Sequence, residues 1–424
     1  MIVFFLKGLL RDRSRSLFPL LTVFFGVFLA VFMYAFMNGV IGDMVGTTAH
    51  YQTGHVRVLT RAYAEEADQN PNDLALTGLA KTLQTLRAKF PAMVWTPRIR
   101  FGGLLDIPDE KGETKTQGPA SGMAVDLFST SSPEPRLLDI RKAIVRGAMP
   151  QRPGDVLIGD DFARKLNVAP GATATLISST MYGSMTMANF KIAGTVRFGV
   201  AAMDRGAMIA DVADIQSALD MEDAAGEIVG FFPDDVYHDE AAKLMAASFN
   251  REFNNPGDKF SPRMGTLPDE SGLGDYLSLV DSMGIIIIAI FVLAMSIVLW
   301  NAGLMGSLRR YGEIGVRLAV GENNGHIYQT LILESLAIGI FGSVLGTLAG
   351  VGLAYLMQVH GLDFSSLFRN SAMMVPSVYH ARVTPGCFII GFAPGIISTV
   401  LGASIAGVGI YKRRTAQLFK ELEA

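Results

Sequence analysis

Histidines are the first residues to consider for catalysis or metal binding, because imidazole both ligates metals and transfers protons near neutral pH. His50, His55 and His238 lack the close spacing that a metal site needs. No G-x-S-x-G nucleophile elbow and no H-E-x-x-H zinc motif occurs in the sequence. We therefore interpret each histidine as an ordinary surface or strand residue, and we predict no metal site.

Paired acidic residues are the second candidate for chemistry, since two carboxylates can serve as a general acid and a general base. Asp160-Asp161 and Asp234-Asp235 are such pairs. Asp is also favoured at helix starts and in turns, where its side chain accepts hydrogen bonds from the backbone. We predict caps and turns at both pairs, with Asp160 or Asp161 capping a helix that ends near Asn167, and no catalytic residue in this chain.

Signals for binding nucleotides or nucleic acids are absent from the sequence. The dipeptide Gly-Lys does not occur, which excludes a Walker A motif. The formal net charge is -3, and no segment has the basic density that nucleic-acid binding needs. The single cysteine, Cys387, excludes an internal disulfide and a cysteine-based zinc site.

A short charged segment between two apolar runs is the most informative feature. Arg309, Arg310, Glu313 and Arg317 fall within residues 309–326. A compact charged helix at this position can transmit force between a soluble partner and the adjoining membrane spans. The simpler alternative is that its arginines only fix the orientation of the spans.

The apolar run after this segment contains Glu334 and then three glycines at four-residue intervals, Gly342, Gly346 and Gly350. Small residues at this spacing form a stripe that lets two helices approach closely in lipid. Glu334 lies near the end of the run that adjoins the charged segment, which favours a role in coupling or at an interface over substrate contact. The glycine stripe alone is equally consistent with packing inside one chain.

Four long apolar runs are the elements that must position these residues. Half of the residues are hydrophobic and only 18% are charged, and the charge deficit is concentrated in these runs. Each is long enough for a transmembrane helix, which needs about 20 residues. The predicted spans cover residues 16–42, 280–308, 327–358 and 383–411. A cleaved signal peptide is the alternative for the first run, but its apolar part is too long and no small-x-small site follows, so we predict an uncleaved signal anchor.

The distribution of lysine and arginine predicts the orientation of the spans. These residues are concentrated in 1–15, 309–326 and 412–424, whereas the short loop 359–382 holds only two arginines. The sequence therefore predicts cytoplasmic termini and an extracytoplasmic domain over residues 43–279. The first 15 residues combine apolar side chains with basic ones, which favours an amphipathic helix at the cytoplasmic interface over a topological signal alone.

The segment between the first two spans has the mixed composition of a globular domain. Residues 54–60 and 94–107 are predicted strands, 76–90 is a predicted helix, and 109–122 is a predicted polar loop. Strand and helix patterns continue to alternate up to the second span. The predicted fold class is an integral membrane α-helical protein with four transmembrane helices and a large α+β extracytoplasmic domain.

The charged segment and the helix after it resemble the FtsX-like permease domain of the MacB / LolC–LolE superfamily of ABC transporters (type VII). That family shows an R-R-x-x-E-I-G-x-x-R-A-x-G pattern followed by a long helix with L-x-E. The matching positions are Arg309, Arg310, Glu313, Ile314, Gly315, Arg317, Ala319, Gly321, Leu333 and Glu334. The register shifts by one residue in places, and Asn323-Asn324 replace a more usual basic pair.

The resemblance covers nearly the whole chain. One span, a large outside domain and three further spans is the family's topology, and residues 146–177 are similar to a stretch of the MacB-like periplasmic core. The C-terminal tail, residues 412–424, departs from the family because it lacks the usual proline. This departure leaves the contact of the tail with a partner open.

The resemblance implies a multi-pass permease in the bacterial inner membrane, with its large domain in the periplasm. It further implies dimerisation with itself or a paralogue and binding of two copies of a separate cytoplasmic ATPase, which would hold ATP and Mg. No cofactor is expected in this chain. The coupling residues would be Arg309, Arg310, Glu313, Ile314, Gly315, Arg317 and Gly321, followed by Glu334 and the glycine stripe.

Several functions fit such a permease. Because spans one and four contain no charged residue, and span two only Asp281 at its start, a polar path through the bilayer is disfavoured and mechanotransmission is favoured. Release of lipoproteins from the membrane, as in LolC/LolE, is the first hypothesis, with a lipoprotein or a periplasmic adaptor as further partner. The alternatives are MacB-like efflux of a drug, peptide or siderophore, FtsX-like control of a periplasmic hydrolase, and, last, a membrane-anchored enzyme.

Overall fold

The computed structural model describes residues 13–130, 132–274, 286, 289–298, 300–301, 316–317, 319–364 and 376–412. The chain divides into two compact units. The first, here the membrane unit, comprises Met1–Gly42, Ser278–Leu362 and Tyr379–Ala424. The second, here the sheet domain, comprises Asp43–Leu277 and Asp363–Val378.

Three helices in the described part of the chain are long and apolar enough to cross a membrane. They are α1 (Arg13–Thr48), α11 (Asn324–His360) and α12 (Gly386–Lys412). The second predicted span, 280–308, lies largely outside the described residues, and its described part includes the helical stretch Ala289–Val298. The predicted interfacial helix, 1–15, lies almost entirely outside them as well.

The helices of the membrane unit pack through small residues and expose large apolar side chains. Leu345, Leu348 and Leu401 are exposed, as expected for side chains that face lipid. Val23, Val27 and other buried residues form the core between the helices. The buried members of this core are Val23, Val27, Val31, Ala35, Met295, Ala354, Met357, Ala381 and Cys387.

The sheet domain is built on a ten-stranded sheet with the order β12-β1-β11-β3-β4-β9-β6-β8-β5, with β7 paired to β3 and β8. Most neighbours are antiparallel, whereas β4–β9 and β6–β8 are parallel. The remaining described strands form two separate two-stranded sheets, β10–β2 and β13–β14. The strand bounds are β1 Val56–Thr60, β2 Leu76–Thr77, β3 Val94–Pro108, β4 Thr114–Val125, β5 Ile144–Gly147, β6 Asp155–Gly159, β7 Thr173–Ser179, β8 Met185–Val196, β9 Ala207–Asp211, β10 Ala224–Ala225, β11 Glu227–Phe231, β12 Pro262–Thr266, β13 Leu362–Asp363 and β14 Val378–Tyr379.

Nine shorter helices belong to the sheet domain, several of them packed on the sheet so that the described part of this unit is α+β. Their bounds are α2 Arg61–Glu65, α3 Leu79–Lys89, α4 Glu134–Leu137, α5 Ile140–Ala143, α6 Asp160–Lys165, α7 Ala201–Asp204, α8 Val212–Ala218, α9 Asp239–Phe253 and α10 Leu267–Ser271. A large apolar core, which includes Trp95, Phe101, Phe162 and Phe249, is common to the sheet and these helices.

The predicted strands at 54–60 and 94–107 are confirmed, but the predicted polar loop at 109–122 is wrong. Most of that segment belongs to β4, which pairs antiparallel with β3. Its small residues explain the misreading. Gly118 and Gly122 leave room for the rings of Phe162 and Phe101, so the polar, glycine-rich strand covers aromatic side chains instead of supplying its own.

Candidate functional site

Most of the predicted coupling residues, Arg309, Arg310, Glu313, Ile314 and Gly315, lie outside the described residues. Arg317 and Gly321 are described. The guanidinium of Arg317 donates to both carboxylate oxygens of Glu322, from Nε to Oε2 at 2.6 Å and from Nη2 to Oε1 at 2.8 Å. Sequence analysis did not single out Glu322, whose spacing of five residues from Arg317 is not a helical pair.

A tight turn joins this ion pair to α11. Gly321 has a φ of 95°, in the region that favours glycine, and the N–H of Glu322 donates to the carbonyl of Arg317 at 3.0 Å. Asn323 then caps α11, because its side chain accepts from the N–H of Gly325 at 3.1 Å. The Asn323 that replaces a basic residue of the family pattern thus has a local role as a helix cap.

The glycine stripe of α11 lies against α1. A Cβ placed on Gly346 would be 2.7 Å from the carbonyl oxygen of Phe24, and one on Gly350 would be 3.0 Å from that of Phe28. Gly342 lies against Val23 in the same way. The two backbones are therefore close enough that no larger residue fits without moving a helix.

The neighbouring face of α11 meets α12 through a second set of small residues. The hydroxyls of Ser343 and Thr347 occupy the space where Gly395 and Gly391 would carry a Cβ. Neither hydroxyl has a conventional hydrogen-bond partner among the described residues, and their position favours weak Cα–H···O contacts with these glycines. Glu334 lies half-buried on α11.

Two arginines that sequence analysis missed cap the end of the first helix. The helix continues past Thr48 through a π-helical turn, Ala49–Thr53, whose last carbonyls lack helical partners. Arg98 Nη1 donates to the carbonyl of His50 at 2.6 Å. Arg100 Nη2 donates to the carbonyls of Tyr51 and Gln52, at 2.8 and 2.7 Å. Both arginines stand on β3, so they bind the helix end to the middle of the sheet.

Buried carboxylates hold these two arginines in place. Arg98 forms a bidentate pair with Glu134, and neither side chain is exposed. Arg100 Nε donates to Glu227 at 3.0 Å. Burial raises the pKa of Glu227, but the charges of Arg100, Arg57 and Arg98 outweigh it and hold that pKa below its ordinary value. We call these four residues, with the carbonyls of 50–52, the helix-end cluster.

The same charge network reaches the segment that leads toward the second predicted span. Arg57 on β1 contacts Glu227 at 3.4 Å and Glu270 on α10 at 2.7 Å. Glu270 also pairs with Arg263 on β12 at 3.1 Å. Since β1 and β12 are hydrogen-bonded neighbours, the strand that follows α1 and the segment that ends the sheet domain are joined by both backbone and ion pairs.

Asp363–Val378, in the loop between α11 and α12, belongs to the sheet domain, and its described residues contact the loop that follows β8. Ser377 N–H donates to the carbonyl of Gly199 at 2.8 Å, and Pro376 forms a bridge with Val200. The carboxylate of Asp204 orders that loop, since it accepts from the N–H groups of Phe198 at 2.7 Å and Gly199 at 3.2 Å.

The histidines have local partners. His50 pairs with Asp235 at 3.0 Å and His238 with Asp234 at 2.8 Å. Buried His55 accepts at Nδ1 from the N–H of Phe232 at 3.0 Å. Among the described residues, no group of three or more His, Cys, Asp or Glu side chains is close enough to hold a metal ion.

The prediction that Asp160 or Asp161 caps a helix is wrong for both residues. The cap position of α6 is Gly159, and no side chain caps this helix end. The buried carboxylate of Asp160 instead accepts from the guanidinium of Arg146 on β5 and from the hydroxyl of Thr195 on β8. The helix ends at Lys165, and Asn167 follows it with a φ of 51°.

Comparison with known proteins finds similarity in the C-terminal part of the chain. Residues 285–414 match the FtsX-like permease C-terminal domain. The chain is 28% identical over 131 residues to "Macrolide export ATP-binding/permease protein MacB 1/2" of Paracoccus denitrificans, which covers 30% of this chain and 19% of that protein. It is 28% identical over 117 residues to the MacB of Acinetobacter baylyi, with 27% and 17% covered.

The chain thus spans about a fifth of the length of these curated relatives. A solved structure of the periplasmic region of MacB from Actinobacillus actinomycetemcomitans aligns with 53% of this chain and 94% of that one, at 11% identity and a TM-score of 0.36. The predicted resemblance to an FtsX/MacB-type permease is confirmed by the family match and the MacB relatives.

Proposed function

We propose that this chain, which carries an FtsX-like permease domain of the type found in MacB, is the membrane subunit of an ABC transporter that works by mechanotransmission. A nucleotide-driven movement would act on the segment before α11 and pass through the membrane helices to the sheet domain. The chain itself would catalyse no reaction. Its large domain would lie in the periplasm of a bacterial inner membrane, with both termini in the cytoplasm.

The helix-end cluster is the observation that carries this proposal. A helix that transmits force must end in something stiff, since a frayed end would absorb the movement. Here the last carbonyls of the first helix are held by Arg98 and Arg100, which are themselves fixed by buried carboxylates. Charge-assisted hydrogen bonds of this kind are stronger than neutral ones. A displacement of this helix end would therefore be passed to β3.

The partner ATPase is proposed to contact residues 309–326. In the named relatives, ATP-binding and permease functions are combined in one protein, as their names state. We propose that a separate subunit, in two copies per permease dimer, supplies ATP hydrolysis here and binds the ATP and Mg. Arg317, held against Glu322, and the turn at Gly321 would keep the contact segment rigid relative to α11.

The experiment is to co-express and co-purify the chain with a candidate ABC ATPase subunit and to compare Glu313→Ala and Arg317→Ala with the unaltered protein. Both variants are expected to reduce ATPase binding or the stimulation of ATP hydrolysis severalfold. Arg152→Ala is the control, because Arg152 is a largely exposed arginine of the sheet domain. Full binding and full stimulation in both test variants would exclude this coupling role.

Release of lipoproteins from the membrane is the first proposed transport function, because of the resemblance to the LolC/LolE branch. Efflux of a periplasmic substrate is the second, and it is favoured by the names of the relatives, both macrolide exporters. Identification of the molecule that co-purifies with the complex would separate them. An acylated protein would support release, whereas stimulation of ATPase activity by a soluble drug or peptide would support efflux. Control of a periplasmic hydrolase, without transport, is the third.

A further inference from the structure

A cavity of about 210 Å³ lies in the sheet domain, against the middle of the sheet. Three strands form its floor, because Arg100 on β3 is in register with Met123 on β4, and Met123 with Ile209 on β9. Residues in register on neighbouring strands project to the same face of a sheet. Tyr51, in the turn that ends the first helix, and Met203 on α7 form its walls. The cavity is therefore enclosed by residues that are distant in sequence but belong to one compact unit.

One end of the cavity is polar. Arg100 uses Nε for Glu227 and Nη2 for the carbonyls of the helix end, and in the described part of the chain no residue accepts a hydrogen bond from Nη1. The hydroxyls of Tyr51 and Ser121, which also line the cavity, have no hydrogen-bond partner there either. Ser121 is exposed, so the cavity opens to solvent on its side. The N–H groups of Nη1 and the hydroxyl of Tyr51 can donate to a ligand that enters the cavity.

The other end of the cavity is apolar. Its side chains are those of Met123, Met203, Ala207 and Ile209, all buried and all part of one apolar cluster. A cavity of about 150 Å³ with apolar walls holds benzene, whereas drug-sized ligands occupy pockets of about 300–1,000 Å³. A volume of about 210 Å³ thus fits a single ring with a short substituent and is too small for a drug-sized molecule. The thioethers of Met123 and Met203 favour an aromatic ring, since sulfur packs well against ring edges.

The charged groups near the cavity already have partners of their own. These contacts are Arg100 with Glu227, Arg98 with Glu134, Arg57 with Glu227 and Glu270, Asp139 with Lys142, Asp204 with the N–H groups of Phe198 and Gly199 and the charge of Arg197, and Asp211 with the N–H groups of Leu127 and Ala213. Arg205, two residues after Met203, also has a partner. A charged ligand would lose its hydration without gaining an unpaired counterion, so the cavity favours an uncharged one.

We propose that this cavity binds a small uncharged molecule that has one aromatic ring and one carbonyl oxygen. The oxygen, with its two lone pairs, would accept from Arg100 Nη1 and from the hydroxyl of Tyr51. The ring would lie at the apolar end, between the thioethers of Met123 and Met203. Because Arg100 and the carbonyl of Tyr51 belong to the helix-end cluster, the ligand would contact that cluster directly. Binding itself does not rest on the transport function proposed above.

The test uses the full chain in an uncharged detergent at pH 7 and three probes of nearly equal size: 2-phenylacetamide, the anion phenylacetate and the cation 2-phenylethylammonium. Calorimetry and saturation-transfer NMR measure binding. We expect saturable binding of 2-phenylacetamide with a dissociation constant on the order of 0.1–1 mM, as for a ligand of about ten non-hydrogen atoms. Each charged probe should bind about tenfold more weakly or not at all, because it would leave water without meeting an unpaired counterion.

Two variants test whether 2-phenylacetamide binds in this cavity. Tyr51→Phe keeps the ring contact with Phe198 and removes only the hydroxyl, so it should weaken binding about fivefold, as for one neutral hydrogen bond. Ser121→Leu places an apolar side chain at the open side of the cavity and should abolish saturable binding. Tyr182→Phe is the control, because it removes an exposed hydroxyl that does not line the cavity, and it should bind like the unaltered chain.

The unfolding temperature of each variant should match that of the unaltered chain, which separates a blocked cavity from a misfolded protein. Equal binding of 2-phenylacetamide by the unaltered chain, Tyr51→Phe and Ser121→Leu would place the probe elsewhere and overturn the proposal. The absence of saturable binding to the unaltered chain would overturn it as well. Binding of phenylacetate or 2-phenylethylammonium as tight as that of the amide would contradict the uncharged class of ligand.

Discussion

Arg98 and Glu134 form a bidentate ion pair, with Nε–Oε1 and Nη2–Oε2 distances both of 2.8 Å, in which neither side chain is exposed to solvent. The remaining nitrogen of Arg98 binds the carbonyl of His50 at the end of the first helix. A buried pair of this kind contributes little net stability by itself, because desolvation offsets the attraction. Its effect is to fix the geometry between the helix end and the sheet.

Removing Glu134 from this pair should lower the unfolding free energy strongly. Glu134→Ala leaves the guanidinium of Arg98 buried without its counterion, and the expected loss is about 3–5 kcal/mol of unfolding free energy. Unfolding of the purified chain in detergent, followed by tryptophan fluorescence, measures it, since Trp95 lies on the same strand as Arg98. Lys142→Ala, which removes a surface ion pair with Asp139, is the control and should change stability by less than about 1 kcal/mol. Equal losses in the two variants would contradict the structural role of Arg98 and Glu134.

The packing of α11 against α1 gives a second prediction. In Gly346→Ala the new Cβ would lie 2.7 Å from the carbonyl oxygen of Phe24, a backbone atom that moves only if the helices separate. We expect a loss of about 1–3 kcal/mol in resistance to unfolding by sodium dodecyl sulfate. Gly352→Ala lies on the same helix with nothing within 4 Å and should be neutral or slightly stabilising. If Gly346→Ala behaved like Gly352→Ala, the close helix contact would be disproved.

The membrane helices were predictable because lipid dictates both their length and their composition. The first one nevertheless extends beyond the predicted limit at residue 42, through Thr48 and the turn to Thr53, since polar residues such as Asp43 and His50 can continue a helix outside the bilayer. The second predicted span, 280–308, and most of the coupling residues lie largely outside the described residues, so these remain predictions.

The helix-end cluster could not be predicted from the sequence, because its pairs are set by strand order. Arg98 and Glu134 are 36 residues apart, and Arg100 and Glu227 are 127 apart. Nothing in local spacing distinguishes these arginines from ordinary strand residues. The available signal was their alternation: Arg98 and Arg100 are separated by one residue in a predicted strand and therefore share a face.

Buried His55 gives a third prediction. Burial lowers its pKa to about 4, so the folded protein keeps it neutral while the unfolded chain binds a proton near pH 6.5. Its contribution to stability is therefore fully present above pH 6.5 and is lost as the pH falls toward 4, by roughly 2–3 kcal/mol. His55→Asn keeps an acceptor for the N–H of Phe232 but cannot titrate.

The measurement is the unfolding free energy of both proteins between pH 7.5 and 4.5. At pH 7.5 the variant is expected to have a lower unfolding free energy than the unaltered chain, because it loses the ring contacts with Phe231 and Phe232. This difference in unfolding free energy should become smaller as the pH falls. If this difference stayed constant between pH 7.5 and 4.5, the pKa of His55 would not be lowered in the folded state.

Asp204 gives a fourth prediction, with the opposite sign in the same pH range. Burial, with a smaller contribution from the charge of Asp161, raises the pKa of its carboxyl to about 6. The N–H groups of Phe198 and Gly199 and the charge of Arg197 lower that pKa but do not offset the effect of burial. The folded protein thus binds a proton more readily than the unfolded chain, so this residue alone stabilises the fold by roughly 1–3 kcal/mol as the pH falls from 7 to 4. Asp204→Asn cannot titrate and should lose stability relative to the unaltered chain as the pH falls, whereas His55→Asn should gain.

The same titration measures both variants, with the unaltered chain as the common reference. If the Asp204→Asn difference did not change with pH, the carboxyl would be titrating at its ordinary value and the loop at Gly199 would not depend on its charge.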